Sequence, residues 1–224
     1  TNGDVVFALL TYVPMVRDNM LNGSIIVVTD LTERRKIETA LRRSDQFMRE
    51  LYQISSSTQA SFVEKIQALL HMGCRHFGME TGVLAHVEGN QYKIIEAYPT
   101  SDEIRKGMIF DLAETYCVEV LDAKRPISFH HASADENWAV HPCYTNRHIE
   151  AFLGGKLMVA GKVYGTLSFF NLSPKKEVFK PTDEEFLRLM ALEFDQLLSA
   201  HGVFLPQGAK ADVERAYDDM FGGA

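Results

Sequence analysis

The residues best suited to chemistry lie in one short stretch, NWAVHPCY, residues 137–144. It contains the only tryptophan of the chain, Trp138, together with His141, Cys143 and Tyr144. A thiolate is a nucleophile and a metal ligand, and an imidazole is a base and a metal ligand. The stretch could therefore support nucleophilic, redox or metal chemistry. The alternative is that it folds back over a core, with Cys143 as a small apolar side chain.

The composition limits the classes of function. The chain has 224 residues, of which 46% are hydrophobic, enough for one large domain or a domain with a fragment of another. A formal net charge of -7 argues against nucleic acid as the main partner. Three cysteines do not suggest a disulfide framework, so we expect a cytoplasmic protein with free thiols. The most apolar run, residues 5–16, is too short for a membrane span and includes Pro14.

Two β-strands are predicted at the beginning of the chain. The stretches DVVFALLTYVPMVRD and GSIIVVTD are apolar and rich in β-branched residues. Asn22-Gly23 between them favours a tight turn. Because two strands cannot bury a face on their own, we interpret residues 1–30 as the end of a larger domain.

A long, highly charged helix is predicted over residues 31–57. Small or apolar residues recur in it at steps of four and three: Ile37, Leu41, Ser44, Met48, Leu51 and Ser55. This spacing is typical of a coiled-coil seam. The alternative is one amphipathic helix packed on its own domain. Since so polar a helix needs a partner to be stable, we favour a parallel homodimer, formed through residues 32–55 and the last predicted helix of the chain.

The pattern of residues 58–201 alternates between helix and strand periods. An amphipathic helix is predicted over residues 59–77, with Cys74 on its apolar face. A hairpin follows over residues 82–99, turning at Gly89-Asn90. A helix over residues 112–122 is then expected to carry Tyr116 and Cys117.

The second half of this region begins with a strand at residues 125–129 and a long irregular loop at residues 130–150. Strands at residues 151–160 and 162–171 are joined by a turn around Gly161.

A final helix begins near Thr182, which we predict as its N-cap, with Glu185 as the partner in a capping box. Its apolar stripe comprises Phe186, Met190, Phe194, Leu197 and His201.

The order of elements predicts an α+β fold, an antiparallel sheet with helices mainly on one face. The 130–150 loop would then cover a pocket on the other face. We expect this pocket to be lined by Tyr116, Cys117, Trp138, His141, Cys143 and His148.

Three stretches carry a resemblance to a known family: RPISFHHASADENWAVHP, LMVAGKVYGTLSFFN and PTDEEFLRLMALEFDQLL. Together they resemble a GAF domain spanning roughly residues 58–201. The resemblance implies a module that binds a small ligand or chromophore and itself does no chemistry. Residues 202–224 are a tail to which the sequence assigns no role.

The block before it resembles the last two strands of a PAS domain and the helix that leaves it. Asp30, Thr32 and Glu33 match the D-[ILV]-T-E-R motif at that junction. PAS, linker helix and GAF in this order resemble the sensory half of histidine kinases and diguanylate cyclases. The resemblance implies dimeric signalling helices and a covalently linked output domain outside this sequence, so the chain alone is not expected to be an enzyme.

A tetrapyrrole is one ligand that the resemblance implies. Phytochrome-like GAF domains attach a bilin to a cysteine in this region, and some similar domains hold haem. Cys143 would form the thioether, and His141 and His148 would hold propionates or iron. Tyr144 stands where the bilin-attaching pattern has histidine.

Redox chemistry is a second alternative. One GAF branch reduces free methionine sulfoxide, and Cys117, Cys143 and Glu150 stand at positions similar to its functional residues. That branch also places acids on the following strand, where this chain has LSFF, residues 167–170. A reversible disulfide without catalysis is the related possibility.

A metal site is a third alternative. Its ligands would be drawn from Cys117, His130 or His131, His141 and Cys143, a set that suits zinc or iron. No CxxC motif supports it.

Overall fold

The computed structural model describes residues 6–17 and 20–200. The chain divides into two compact units, Thr1–Glu50 and Leu51–Ala224. Among the described residues, no helix is both long enough and apolar enough to cross a membrane.

The first unit contains an antiparallel hairpin of β1 (Ala8–Arg17) and β2 (Met20–Asp30). Ala8 pairs with Asp30, and the pairing continues to Arg17 opposite Met20. Asn22-Gly23 therefore lies inside β2, and the turn predicted there is wrong. The register follows the pairing of two long apolar strands, which outweighs the local turn preference of Asn-Gly.

Both faces of this hairpin expose apolar side chains. Leu9 and Leu10 are 51% and 68% exposed, and Ile25 and Ile26 are also exposed. Since successive strand residues point to opposite faces, the described side chains of residues 6–15 and 24–30 are exposed on both faces. The interpretation of residues 1–30 as the end of a larger domain stays a prediction.

The junction between β2 and α1 (Thr32–Ser56) is closed by side-chain hydrogen bonds. An Asp30 carboxylate oxygen accepts a hydrogen bond from the Thr32 backbone N–H at 2.8 Å. The Thr32 hydroxyl oxygen accepts one from the Phe7 backbone N–H at 3.0 Å. The hydrogen bonds from Thr32 lower the pKa of Asp30. The spacing of Asp and Thr thus fixes the point at which the strand becomes a helix.

Helix α1 confirms the helix predicted over residues 31–57. Two residues of its predicted seam, Ile37 and Leu41, are 65% and 61% exposed. Met48 is also exposed, whereas Leu51 is buried. Most of the apolar seam is therefore available to a partner, and the coiled coil stays a prediction.

The second unit contains a six-stranded antiparallel sheet, which confirms the predicted α+β architecture. The strand order is β5-β4-β3-β8-β7-β6. The strands are β3 (Thr81–Glu88), β4 (Gln91–Tyr98), β5 (Ile109–Asp111), β6 (Ile127–Phe129), β7 (Ala151–Val159) and β8 (Lys162–Asn171). The turns at Gly89-Asn90 and Gly161 are confirmed. Only β5 was not predicted, because three residues show no period.

Two helices, α2 (Phe62–Phe77) and α5 (Pro181–Ala200), pack on one face of this sheet. Helix α2 begins at Phe62 because the Ser61 side chain caps it in a capping box with Glu64. The predicted start near residue 59 was three residues early.

Helix α5 begins two residues before the first helical position that an N-cap at Thr182 implies, and its cap differs. Pro181 occupies the first helical position, where its fixed φ is favourable. The Asp183 carboxylate accepts a hydrogen bond from the Lys180 backbone N–H at 2.9 Å. Thr182 is therefore inside the helix, and the predicted Thr182–Glu185 capping box is wrong. The predicted apolar stripe is buried as far as Leu197, and His201 lies outside the described residues.

The opposite face carries α3 (Cys117–Asp122) and α4 (Pro142–Arg147). Two neighbouring glycines of β7 point to opposite faces of the sheet. A Cβ on Gly154 would meet Val120 of α3, whereas a Cβ on Gly155 would meet Leu187 of α5. The helix predicted over 112–122 is interrupted, because a 3-10 turn at Leu112–Glu114 precedes α3. The 130–150 loop, predicted as irregular, contains α4.

Candidate functional site

A small cavity lies between the sheet and the layer formed by α3 and α4. Its volume is about 50 Å³. It is bounded by Val83, Tyr92, Ile94, Ile104, Phe110, Thr115, Tyr116, Cys117, Cys143, Arg147, Ile149, Phe152, Ser168 and Phe170. Cys143, Arg147 and Ile149 of the 130–150 segment form one side of this cavity, whereas its role as a ligand pocket stays a prediction.

Three of the six predicted lining residues, Tyr116, Cys117 and Cys143, border the cavity. The Tyr116 hydroxyl donates a hydrogen bond to the Ile149 carbonyl oxygen at 3.1 Å, which ties the start of α3 to the strand side of the loop. Trp138, His141 and His148 do not border the cavity.

His141 begins helix α4. Its Nδ1 accepts a hydrogen bond from the Cys143 backbone N–H at 3.0 Å, and Pro142 between them takes the first helical position. The imidazole therefore acts as an N-cap, in the role more often filled by Asp, Asn or Ser. Desolvation by burial lowers the pKa of His141, which keeps Nδ1 able to accept. The motif H-P-C is the start of a helix.

Trp138 belongs to an aromatic cluster behind the cavity wall. Its ring stacks on Phe129 with centroids 4.5 Å apart and planes 21° apart. Tyr116 meets Trp138 edge-on at 5.5 Å and also contacts His141, at 4.7 Å. The NWAVHPCY stretch therefore covers the core, and only Cys143 of its side chains reaches the cavity.

His148 ends α4 in the left-handed conformation, with φ of 55°. Its ring lies edge-on to Tyr144, with centroids 5.9 Å apart, and the residue is exposed. Its role in this structure is that of a helix C-cap, with its N–H bonded to the Tyr144 carbonyl.

The two cavity thiols are buried and protonated. Burial raises the pKa of Cys143 to about 12 and also raises that of Cys117. The Thr166 hydroxyl donates a hydrogen bond to the Cys117 sulfur at 3.2 Å. Since the thiolate is the reactive form, neither cysteine is activated as a nucleophile.

Arg147 is the main cavity residue that sequence reasoning missed. Its guanidinium lies over the Phe110 ring, 4.3 Å from the centroid, and one Nη is 3.7 Å from a Glu114 carboxylate oxygen. Its Nε is buried and has no hydrogen-bond partner in the part of the chain that the structure describes. Arg147 follows Cys143 by four residues, so recognising α4 would have placed both on one helix face.

A tetrapyrrole does not fit the residues around this cavity. Pockets for ligands of that size measure ~300–1,000 Å³, whereas the cavity is about 50 Å³. Cys143 has a raised pKa, and the Nδ1 of His141 is engaged in the cap. Across the described ranges, no three His, Cys, Asp or Glu side chains are placed to hold a metal ion.

Comparison with known proteins identifies the family. A family model described as the GAF domain matches residues 59–198, more than half of the chain. The chain belongs to the GAF domain family. The resemblance in the sequence over residues 58–201 is thereby confirmed. GAF domains are known as sensory and ligand-binding modules.

Solved structures share the fold at low sequence identity. The GAF domain of an Acinetobacter phosphoenolpyruvate-protein phosphotransferase has a TM-score of 0.57 and 19% identity, covering 72% of this chain and 96% of that one. The chromophore-binding domain of a Stigmatella aurantiaca bacteriophytochrome has a TM-score of 0.57 and 12% identity, and the match covers 87% of this chain and 69% of that one.

A third structure is free methionine-R-sulfoxide reductase from Neisseria meningitidis in complex with its substrate. It has a TM-score of 0.54 and 13% identity, and the match covers 69% of this chain and 89% of that one. None of the curated proteins matches the chain. At these identities the three structures show that this GAF domain shares their fold.

Proposed function

We propose that this GAF domain is the signal-input module of a signalling protein and senses a small molecule in the cavity under α4. The carrying observation is Arg147, whose buried Nε lacks a hydrogen-bond partner within the described residues. A buried donor without a partner costs about 1–3 kcal/mol, which an acceptor oxygen of a ligand would recover. The ligand class is a small oxyanion.

The rest of the cavity supports this ligand class. A volume of about 50 Å³ suits a molecule of a few heavy atoms. Ser168 also borders the cavity, and the Phe110 ring holds the guanidinium of Arg147 by a cation–π contact.

Transmission is proposed to run through α1. The hairpin β1–β2 is interpreted as the end of a PAS domain, and the Asp30–Thr32 junction passes directly into the helix. A parallel homodimer along Ile37 and Leu41 would couple two such modules to an output domain, a kinase or cyclase, in the cytoplasm. Helix shifts of about 1–2 Å are sufficient for switching at such interfaces.

The chain itself is proposed to be non-catalytic. The raised pKa of Cys143 and of Cys117 argues against thiol chemistry at neutral pH. Strand residues 167–170, LSFF, offer no carboxylate to hold the amine of a methionine sulfoxide.

The test uses Trp138, the only tryptophan of the chain, as an internal reporter. Its ring contacts Tyr116, which lines the cavity. Formate and acetate are titrated while tryptophan emission is recorded. We expect a saturable change that is lost in Arg147→Met and retained in Arg42→Met, an exposed arginine on α1. An equal response in both variants would refute the proposed site.

A further inference from the structure

A second concave site lies on the other face of the sheet, along α5. This α5 groove has a volume of about 370 Å³ and runs between the α3–β6 connection, β7 and α5. Its size falls within the ~300–1,000 Å³ range of small-molecule pockets. It is separate from the cavity under α4, since no residue borders both.

The floor of the groove is apolar and closely packed. Gly155 of β7 carries no side chain there, and Leu187 of α5 packs so tightly that a Cβ on Gly155 would stand 3.0 Å from it. Pro126 closes the same end, 3.8 Å from that Cβ position. Farther along α5, Ala191 and Leu192 continue the apolar lining, and Leu192 is exposed. Such a floor favours an apolar body over a hydrated ion.

The charges of the groove contrast with those of the chain. Four cationic residues belong to its lining, Lys124, Arg125, Lys156 and Arg188, although the formal net charge of the chain is -7. Among the residues that the structure describes, Lys124, Arg125 and Lys156 have no ion pair. Cations gathered around an apolar floor attract a ligand that carries an anionic group.

The acidic and basic residues of the lining occupy different ends. Arg188 pairs only loosely with Glu185, at 3.7 Å between exposed side chains. Asp195, about 10 Å farther along the helix at 1.5 Å per residue, is the one carboxylate of the lining. It accepts hydrogen bonds from the Ala160 backbone N–H at 3.2 Å and from the Ser199 hydroxyl at 3.0 Å. An anionic group is therefore expected to bind at the end of the groove near Pro126 and Arg188.

The size of the groove favours a small molecule over a protein partner. The lining residues of α5 extend from Leu187 to Asp195, about 12 Å of helix. A stable protein interface buries about 800 Å² on each partner and uses ~20–30 residues. We propose that the α5 groove binds a small amphiphilic anion, with its acidic group near Arg125 and Arg188 and its apolar body over Ala191 and Leu192.

The experiment uses the full chain and the fluorescent probe 8-anilinonaphthalene-1-sulfonate, which has an aromatic body and one anionic group. The exposed β1–β2 hairpin can also bind this probe. Binding at the groove is therefore measured as the probe fluorescence of the wild type minus that of Ala191→Phe, a change that fills the groove. We expect this difference in fluorescence to saturate with probe concentration and to be abolished by octanoate but not by octan-1-ol.

Charge variants then test the anionic end. Lys124→Glu/Arg125→Glu should weaken probe binding about tenfold, the effect of losing one charge-assisted contact. The control, Arg105→Glu/Lys176→Glu, makes the same change of net charge at two exposed positions outside the groove. It should change the affinity by less than about twofold, because exposed charges at a distance are screened. Far-ultraviolet circular dichroism and urea midpoints establish that each variant is folded.

Three outcomes would overturn the proposal. The first is a probe signal that is unchanged in Ala191→Phe, which places all binding elsewhere. The second is equal weakening in the groove variant and its control, which reduces the effect to net charge. The third is binding of an acidic decapeptide at the groove without binding of the probe or octanoate, which assigns it to a protein partner. None of these results bears on Arg147 and the cavity under α4.

Discussion

The Nδ1 atom of His141 and the backbone N–H of Cys143 form a hydrogen bond of 3.0 Å, and this bond starts helix α4. The helix in turn places Cys143 and Arg147 against the cavity. A histidine that sequence reasoning considered as an iron or propionate ligand thus has a structural role. The position of His141 determines where α4 begins and therefore which residues of α4 border the cavity.

Replacing His141 tests this cap. His141→Ala removes the acceptor and the ring that packs on Tyr116, and we expect it to lower the free energy of unfolding by about 1–2 kcal/mol. His141→Asn restores an acceptor and should recover part of that loss. Urea unfolding followed by Trp138 emission measures both variants. An alanine variant as stable as the wild type would show that the cap contributes nothing.

The cap should also depend on pH. Burial lowers the pKa of His141 in the folded state, so the unfolded chain binds its proton first as the pH falls. The stability from this group is therefore fully present above the unfolded pKa of about 6.5 and is lost as the pH falls through the folded pKa. Glu119 on α3 acts in the opposite direction, since its charge raises the pKa of His141.

The difference in unfolding free energy between the wild type and His141→Ala isolates this effect from the other histidines. We expect that difference to be constant between pH 7.5 and 8.5 and to shrink as the pH falls below about 6.5. Urea titrations at a series of pH values measure it. A difference that grows towards low pH would mean that the protonated form is the one stabilised by the fold.

The thiols should be slow to react while the protein is folded. Burial raises the pKa of Cys74 and of Cys143 to about 12, and that of Cys117 is also raised. We therefore expect iodoacetamide at pH 7.5 to label them at a rate set by unfolding, and to label all three rapidly in urea. Mass spectrometry of the labelled peptides gives the rate for each cysteine. Rapid labelling of Cys143 in the native protein would reopen thiol chemistry at this site.

Long periodic segments could be predicted from the sequence, whereas short ones could not. Helix α2 and strands β7 and β8 lie close to their predicted positions because each shows several repeats of its period. Strand β5 has three residues and α4 has six, too few for a period to appear. Pro142 was the available signal for α4, since proline favours the first helical position.

The same limit explains the candidate site. Tyr116 and Cys117 at the start of α3 and Cys143 within the 130–150 loop border the cavity, because both segments cover the same face of the sheet. Arg147 was missed because its position depends on α4. Trp138 and His141 were assigned to the cavity on residue type alone, yet aromatic packing and helix capping are the roles that the structure gives them.

Dimerisation through α1 is the remaining prediction, and the exposed seam makes it testable. Ile37 and Leu41 are 65% and 61% exposed and lie one helical turn apart on α1. Their burial in a coiled coil would remove apolar surface from water.

We expect Ile37→Glu/Leu41→Glu to convert a dimer to a monomer in sedimentation equilibrium. The emission of Trp138, which lies in the second unit, should stay unchanged and so show that this unit remains folded. The matched control is Gln46→Glu/Gln53→Glu, which adds the same two negative charges at other exposed positions of the same helix and should leave the dimer intact. A wild-type chain that sediments as a monomer at 100 µM would refute the seam as a homodimer contact.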